Sequence, residues 1–147
     1  MELATTPQRQ YVFLRADNLR LLIPQTEVAA IGHLDARPEP SGLPGLLAVP
    51  GRDDACYLVL SGDFGLLDSC PDNRFVTTRM HTDDGMETFW CWEEARVLLD
   101  FAPEIQAIPE VLLTAKSPLR EYALMDEQPV FLCHAETLQN LTLGAQP

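Results

Sequence analysis

Few residues in this chain are spaced for chemistry. Asp63-Phe64-Gly65 spells the metal-binding tripeptide of protein kinases. A kinase also needs a glycine-rich loop, a strand lysine and a catalytic-loop aspartate. None of these is present, and 147 residues are too few to hold them. His81-Thr82-Asp83-Asp84 sets an imidazole beside two carboxylates. A zinc centre wants three or four converging ligands, and only two other histidines exist to complete one. The same residues suit a hairpin tip, because Asp84-Gly85 is a preferred turn pair. Glu93 and Glu94 are adjacent, and on a continuous strand adjacent side chains face opposite ways, which is poor geometry for paired acid-base work. Ser61 lacks the glycine-flanked elbow of a hydrolase nucleophile. Asn140-Leu141-Thr142 is a glycosylation sequon by spelling only. These readings predict neither a catalytic residue, nor a metal, nor a cofactor.

The cysteines and tryptophans lead in the same direction. Cys56, Cys70, Cys91 and Cys133 are widely spaced with no C-x-x-C pair. Three lie in apolar runs, where a free cysteine behaves as a small buried hydrophobe. Trp90-Cys91-Trp92 is the densest aromatic spot, and on a strand Trp90 and Trp92 share one face while Cys91 takes the other. Two readings of the pair stand side by side. It is an anchor of the core, or it is a hot spot for a partner protein, where tryptophan is enriched. Cys91 is a poor candidate for a reactive thiol, since Glu93 and Glu94 are close in sequence and negative charge raises a thiol pKa.

Charge narrows the class of partner. Twenty-two acidic residues stand against ten basic ones, a net charge of −12, and Lys116 is the one lysine. A duplex-binding protein needs cations to replace counterions along the phosphates, so nucleic acid is disfavoured, as is an anionic membrane surface. No apolar run approaches the ~20 residues of a membrane helix. Residues 1–10 lack the apolar stretch of a secretory signal, and Glu2 precedes their one cation, Arg9. A cytoplasmic protein without membrane insertion is expected, with its thiols reduced.

The elements that would position these residues are short strands. Tyr11-Val12-Phe13-Leu14 and Leu19 to Ile23 flank the turn Ala16-Asp17-Asn18, and Pro24 ends the second. Glu27 to Ile31 reads as a weaker third strand, and Asp35 to Gly42 as an exposed loop. Leu43 to Gly51 and Cys56 to Leu60 are apolar runs fenced by Gly and Pro, with the polar turn Arg52-Asp53-Asp54-Ala55 between them. A helical turn is expected at Phe64-Gly65-Leu66-Leu67. Arg74 to Met80 and Met86 to Trp92 form a hairpin across Thr82-Asp83-Asp84-Gly85. Ala95 to Phe101 suits a strand or a short helix. Tyr122 to Met125 and Val130 to Cys133 pair across Asp126-Glu127-Gln128-Pro129. Ala135 to Leu141 is a helix, with Leu138 and Leu141 on one face. Nine to eleven strands at regular spacing, without a glycine-rich strand-to-helix unit, predict an all-β barrel or sandwich with one terminal helix. Residues 10–142 are expected to form one domain between flexible tails at 1–9 and 143–147.

The order of these elements resembles the CheW-like domain, the coupling module of bacterial chemotaxis systems. Phe13, then Leu19-Arg20-Leu21-Leu22-Ile23-Pro24, then Val28 and Ile31, are similar to its opening strands. Leu43-Pro44-Gly45-Leu46-Leu47-Ala48-Val49-Pro50-Gly51 resembles its strand ending in Arg-Gly, and Tyr57-Leu58-Val59-Leu60 its "P-V-I-D-L" strand. Arg74 to Met80 and Thr88 to Glu94 are similar to its central hairpin, and Tyr122 to Leu141 to its closing hairpin and helix. The departures are Pro50 for the family's arginine, Cys56 and Val59 for its Pro and Asp, and Cys91-Trp92 for its Val-Asp. The resemblance implies two small five-stranded SH3-like barrels sharing a core, with a short C-terminal helix. It implies no catalysis and no cofactor. The implied task is a bridge between the cytoplasmic tip of a chemoreceptor and the regulatory domain of a histidine kinase, in a flagellar or a type IV pilus system.

That resemblance locates a partner surface around Leu46, Val49, Gly51 and Arg52, with Trp90 and Trp92 as a second location. Arg52 lies two positions beyond Pro50 and on an extended strand would point the same way, near the lost guanidinium. It reads equally as a solvated turn residue. Two other functions fit the same elements: an interaction module outside chemosensing, and a small-ligand binder or enzyme built on Trp90, Trp92 and His81 around a pocket. Val49 is expected in the core.

Overall fold

The computed structural model describes residues 10–41, 46–49, 52–61, 66–82, 84–99, 103–112 and 119–144, with the backbone alone for 52–55, 112 and 141–144. Among the described residues twelve strands run in chain order: β1 Tyr11–Ala16, β2 Leu19–Pro24, β3 Val28–His33, β4 Glu39–Pro40, β5 Leu47–Val49, β6 Arg52–Val59, β7 Val76–His81, β8 Glu87–Trp92, β9 Glu94–Leu98, β10 Gln106–Ala107, β11 Glu121–Met125 and β12 Gln128–Leu132. Single 3-10 turns occupy Gln25–Glu27 and Glu110–Leu112, and one helix, α1, spans Ala135–Gly144.

The strands form two six-stranded sheets. One has the order β10-β11-β12-β2-β1-β9, the other β3-β7-β8-β6-β5-β4. Most pairs are antiparallel; β12 with β2 and β6 with β8 are parallel. The architecture accords with the expected pair of small β lobes sharing a core, with six strands in each sheet among the described residues. Neither sheet is closed by ladder bonds among the described residues. The sixth strand in each case is a two-residue piece, β4 or β10, too short to leave a pattern in sequence.

Burial follows from three apolar clusters. The central one takes Val12, Leu14 and Ala16 of β1, Leu19, Leu21 and Ile23 of β2, Leu58 of β6, Met80 of β7, Trp90 and Trp92 of β8, and Leu138 of α1. A second cluster fills the β3-to-β4 lobe with Leu34, Leu47, Val49, Tyr57, Val59, Cys70 and Cys91. A third fills the other lobe with Tyr11, Phe13, Leu22, Ala123 and Val130. Strands β1, β2, β6 and β8 therefore bury both faces: one side chain enters the lobe, the next enters the shared centre. That is why these segments read as continuous apolar runs and not as alternating ones. The shared core implied by the resemblance is the central cluster.

Several boundaries differ from the expectation. The stretch Arg52-Asp53-Asp54-Ala55 is not a turn but the start of β6, with Val49 opposite Arg52 and a bulge between Ala48 and Val49. The ladder holds this stretch at its two ends, Arg52 opposite Val49 and Cys56 opposite Ala48, and the aspartates fall in the register shift between those pairs. The closing hairpin turns on two residues, Asp126 and Glu127, and Pro129 sits within β12 opposite Leu124. Both turn residues have positive φ, 53° and 66°, the backbone that matches the strands' twist in a two-residue hairpin. Ala95 to Phe101 resolves as the strand β9, Glu94–Leu98. The helical turn expected at 64–67 lies partly outside the described residues, and Leu66 forms an antiparallel bridge with Leu60. Helix α1 extends to Gly144, so residues 143 and 144 are helix and not tail; the tail expected at 1–9 lies outside the described residues.

Candidate functional site

The segment that the resemblance marks as a partner surface is held at one side of the second lobe. Leu47 is fully buried and Val49 is 6% exposed, so both point into that lobe's core. Ala48 lies between them, half-buried, and pairs with Glu39 on one side and Cys56 on the other. Leu46 is half-buried and packs against the central cluster. Pro50 and Gly51 lie outside the described residues, and for Arg52 the backbone alone is described, opposite Val49 in the β5–β6 ladder. The Val49 side chain is thus given to the core, as expected, and is not available to a partner.

Trp90 and Trp92 lie elsewhere, in the middle of the molecule. Both are fully buried, with ring centroids 6.2 Å apart in a stacked arrangement. The Trp92 indole donates to the Thr78 hydroxyl (2.8 Å) and that of Trp90 to the Thr88 hydroxyl (2.9 Å), so each polar edge is satisfied. A side chain with no exposed surface offers a partner nothing to touch. The expectation that Trp90 and Trp92 form a partner surface is corrected by this burial, which accords with the core-anchor reading. It also removes them as walls of an open pocket with His81. His81 stands at the end of β7 opposite Glu87. The adjoining Asp84 carboxylate accepts from the Thr82 hydroxyl and the Met86 amide. The Thr82 bond first, and the Met86 amide second, hold the Asp84 carboxyl below its usual range. Among the described residues no group of three or more His, Cys, Asp or Glu is placed to hold a metal ion.

The most unusual side chain is one that sequence reasoning passed over. Arg74 is fully buried at the root of β7. Its Nη1 donates to Glu93 Oε1 (2.9 Å) and Asn73 Oδ1 (3.0 Å), and its Nη2 reaches Asp17 Oδ1 (3.1 Å) and the Leu60 carbonyl (3.3 Å). Its Nε is buried without a partner. Glu93 collects donors from every side: Arg74, Asn73 Nδ2 (2.8 Å), the Asp17 amide (3.1 Å) and Arg15 Nη1 (2.7 Å). The backbone explains the convergence. Glu93 is the single residue between β8 of one sheet and β9 of the other, and its own amide bonds to the Arg15 carbonyl (2.9 Å). The chain bends there, so Glu93 and Glu94 both reach Arg15. This corrects the expectation that the two carboxylates face apart. The result is a clasp of charges tying the β1–β2 turn, the end of β6 and the root of β7 to the crossing between sheets.

A second polar anchor seats the helix. Glu27 accepts from the Ala135 amide (2.6 Å) and pairs with His134 Nδ1 (2.9 Å). A carboxylate from a distant turn thus satisfies an N-terminal amide of α1 and complements its dipole. Three of the four thiols, Cys70, Cys91 and Cys133, are buried. Burial pushes Cys133 up to about 12, with Glu27 adding to the effect, and pushes Cys91 up to about 12 with Cys70 second. Burial also raises Cys70, against the opposing charges of Arg37 and Arg74. Cys56 alone is exposed. No helix of the described residues is long and apolar enough to cross a membrane.

No protein-family model matches this chain, and no curated protein does. Among solved structures it is similar to the crystal structure of the scaffolding protein TtCheW from Thermoanaerobacter tengcongensis. The TM-score is 0.60 at 12% identity, over 85% of this chain and 88% of that one. The chain therefore has a CheW-like fold in a divergent form.

Proposed function

We propose that this chain is a non-catalytic adaptor that couples the cytoplasmic tip of a chemoreceptor to the regulatory domain of a histidine kinase in a bacterial chemosensory system. One observation carries the reading: the superposition on a scaffolding protein extends over 85% of the chain, both lobes included, at 12% identity. A fold kept through such divergence is consistent with a surface that works by its shape. The charge balance agrees, because a net charge of −12 favours basic protein surfaces over nucleic acid or anionic lipid.

In this reading the partner surface runs along Leu46 to Val49 and across Gly51 to Arg52. Pro50 stands where the family has an arginine, and Pro supplies neither charge nor a backbone donor. Arg52 lies two positions further along the chain and supplies the substitute charge in this reading. The test mixes the purified chain with a soluble receptor signalling fragment and the kinase regulatory domain from the same bacterium. Co-elution with both is expected, weakened by Arg52→Ala without a change in melting temperature. Absence of binding to either component refutes the adaptor reading. Binding that survives Arg52→Ala undiminished refutes the role of Arg52 alone.

A further inference from the structure

Asp84-Gly85 is the one Asp-Gly pair in the chain, and the chain has no Asn-Gly. The pair lies in the connection between β7 and β8, with both residues exposed. Gly85 takes the left-handed backbone, φ 86°, that short hairpin loops reserve for glycine, and a Cβ added there would meet nothing within 4 Å. A carboxyl followed by an unhindered glycine amide is the pair of groups that closes a succinimide. The Gly85 nitrogen attacks Asp84 Cγ and an N–Cγ bond forms. The carboxyl hydroxyl leaves with the amide proton as one water. A second water opens the ring at either carbonyl. One product is aspartate again; the other is isoaspartate, with the main chain rerouted through Cγ. No oxidant or other reactant enters.

One residue holds both reacting groups. The Thr82 carbonyl accepts from the Gly85 amide (3.0 Å), the nucleophile. The Thr82 hydroxyl donates to the Asp84 carboxylate, the electrophile, and the Met86 amide adds a second bond to the same oxygen (3.3 Å). These bonds favour the ionised carboxylate, whereas only the neutral acid has a hydroxyl to lose as water. We propose that Asp84-Gly85 is a site of spontaneous isoaspartate formation, and that Thr82 restrains it by holding the carboxylate and the glycine amide in their unreactive forms. Reaction adds one carbon to the main chain inside a loop that the Thr82 amide closes on the Met86 carbonyl (3.0 Å). The adjoining rung is His81 opposite Glu87, and Glu87 also pairs with Arg79 (3.6 Å). Fraying there stops at Met80, which is fully buried. The product therefore accumulates in the folded chain as a mark at the hairpin end. The proposal does not depend on the adaptor reading.

The test incubates the full chain at neutral pH and body temperature beside a free peptide of residues 79–89. Isoaspartate is read as methyl groups accepted from an isoaspartyl-directed carboxyl methyltransferase. Peptide mapping locates it, because the product keeps its mass, shifts its elution and resists cleavage by an aspartate-directed endoprotease. Isoaspartate is expected at Asp84 ahead of every other aspartate, and more slowly in the chain than in the peptide. Thr82→Val keeps the carbonyl and removes the hydroxyl. It should speed the reaction in the chain about three- to tenfold, the effect of losing one hydrogen bond to the ionised form, and leave the peptide unchanged. Thr82→Ser restores the hydroxyl and should keep the original rate. The comparison of chain with peptide needs no variant and stands should Thr82→Val fail to fold. No isoaspartate at Asp84, equal rates in chain and peptide, a Thr82→Val rate no higher than the original, or equal acceleration by Thr82→Ser overturns the proposal.

Discussion

Removing Glu93 should cost far more stability than removing Arg74, although the two groups form one ion pair. Arg74 has no exposed surface, and its Nε is already without a partner. Glu93→Ala leaves the guanidinium in the interior with Asn73, the Leu60 carbonyl and one carboxylate, Asp17 (3.1 Å), whose side chain is 49% exposed and so screened by solvent. The main counter-charge, 2.9 Å away and 10% exposed, is gone. Stranding a buried charge in this way costs about 3–5 kcal/mol. Arg74→Met is a different perturbation. It fills a similar volume, removes the orphaned Nε, and leaves Glu93 with Arg15 (2.7 Å), Asn73 (2.8 Å) and the Asp17 amide (3.1 Å). Its expected cost is about 1–2 kcal/mol, the loss of charge-assisted hydrogen bonds offset by a burial penalty that no longer applies. Urea unfolding followed by fluorescence reads both, because Trp90 and Trp92 are buried together in the central cluster. For a domain of this size the gap corresponds to a Tm difference of roughly 5–10 °C. Equal losses, or a larger loss for Arg74→Met, would show that Arg74 is compensated by something other than Glu93 and refute the clasp.

Three further outcomes follow from the same coordinates. A disulfide exchange reagent at pH 8 should label Cys56 quickly, and Cys70, Cys91 and Cys133 only on unfolding, as counted by mass; stability should also fall between pH 9 and 12, because the unfolded thiols ionise there while Cys91 and Cys133 keep their protons up to about 12. Glu27→Ala should destabilise the chain by about 1–2 kcal/mol and raise amide exchange at Ala135, since that amide loses its 2.6 Å acceptor; unchanged exchange in α1 would contradict it. Glu127→Gly should stabilise by up to about 1 kcal/mol in urea unfolding, because Glu127 holds φ at 66° in a two-residue turn where glycine pays no side-chain clash; a loss of stability would mean that the glutamate side chain makes up that cost.

What the sequence made legible was whatever leaves a local trace. The runs at Tyr11 to Leu14, Leu19 to Ile23 and Tyr57 to Leu60 are apolar on both faces because both faces are buried, and they emerge as β1, β2 and β6. The shared face of Trp90 and Trp92 was readable from strand alternation; that this face is the centre of the molecule was not, since a tryptophan pair looks the same in a core and at an interface. Arg52 to Ala55 carries turn-forming residues, and its place in β6 depends on ladder pairs at its two ends, Arg52 with Val49 and Cys56 with Ala48. The clasp was invisible for a similar reason. Arg15, Asp17, Arg74 and Glu93 are ordinary charged residues up to 78 positions apart, and their meeting depends on a sheet-to-sheet crossing that hydrophobic periodicity does not encode.

The clasp and the central cluster together account for how this fold can diverge so far in sequence and keep its shape. Apolar packing is tolerant: a core of the right volume accepts many combinations of Leu, Val and Trp. It is also weakly directional, so it fixes the distance between two sheets better than their rotation. A buried guanidinium bonded at once to a turn of one sheet, the end of a strand in the other and the crossing residue between them adds that missing direction. Register specificity from buried polar groups is system-dependent, but here the geometry makes it testable without any partner. Arg74→Met combined with Glu93→Gln removes the charges in pairs and should recover much of the stability lost by Glu93→Ala. If the clasp directs the lobes, inter-sheet backbone contacts near Asp17 and Leu60 should nonetheless loosen, read as faster amide exchange there with a near-normal melting temperature. Restored stability together with unchanged exchange at those two positions would show that the apolar centre alone sets the orientation of the sheets.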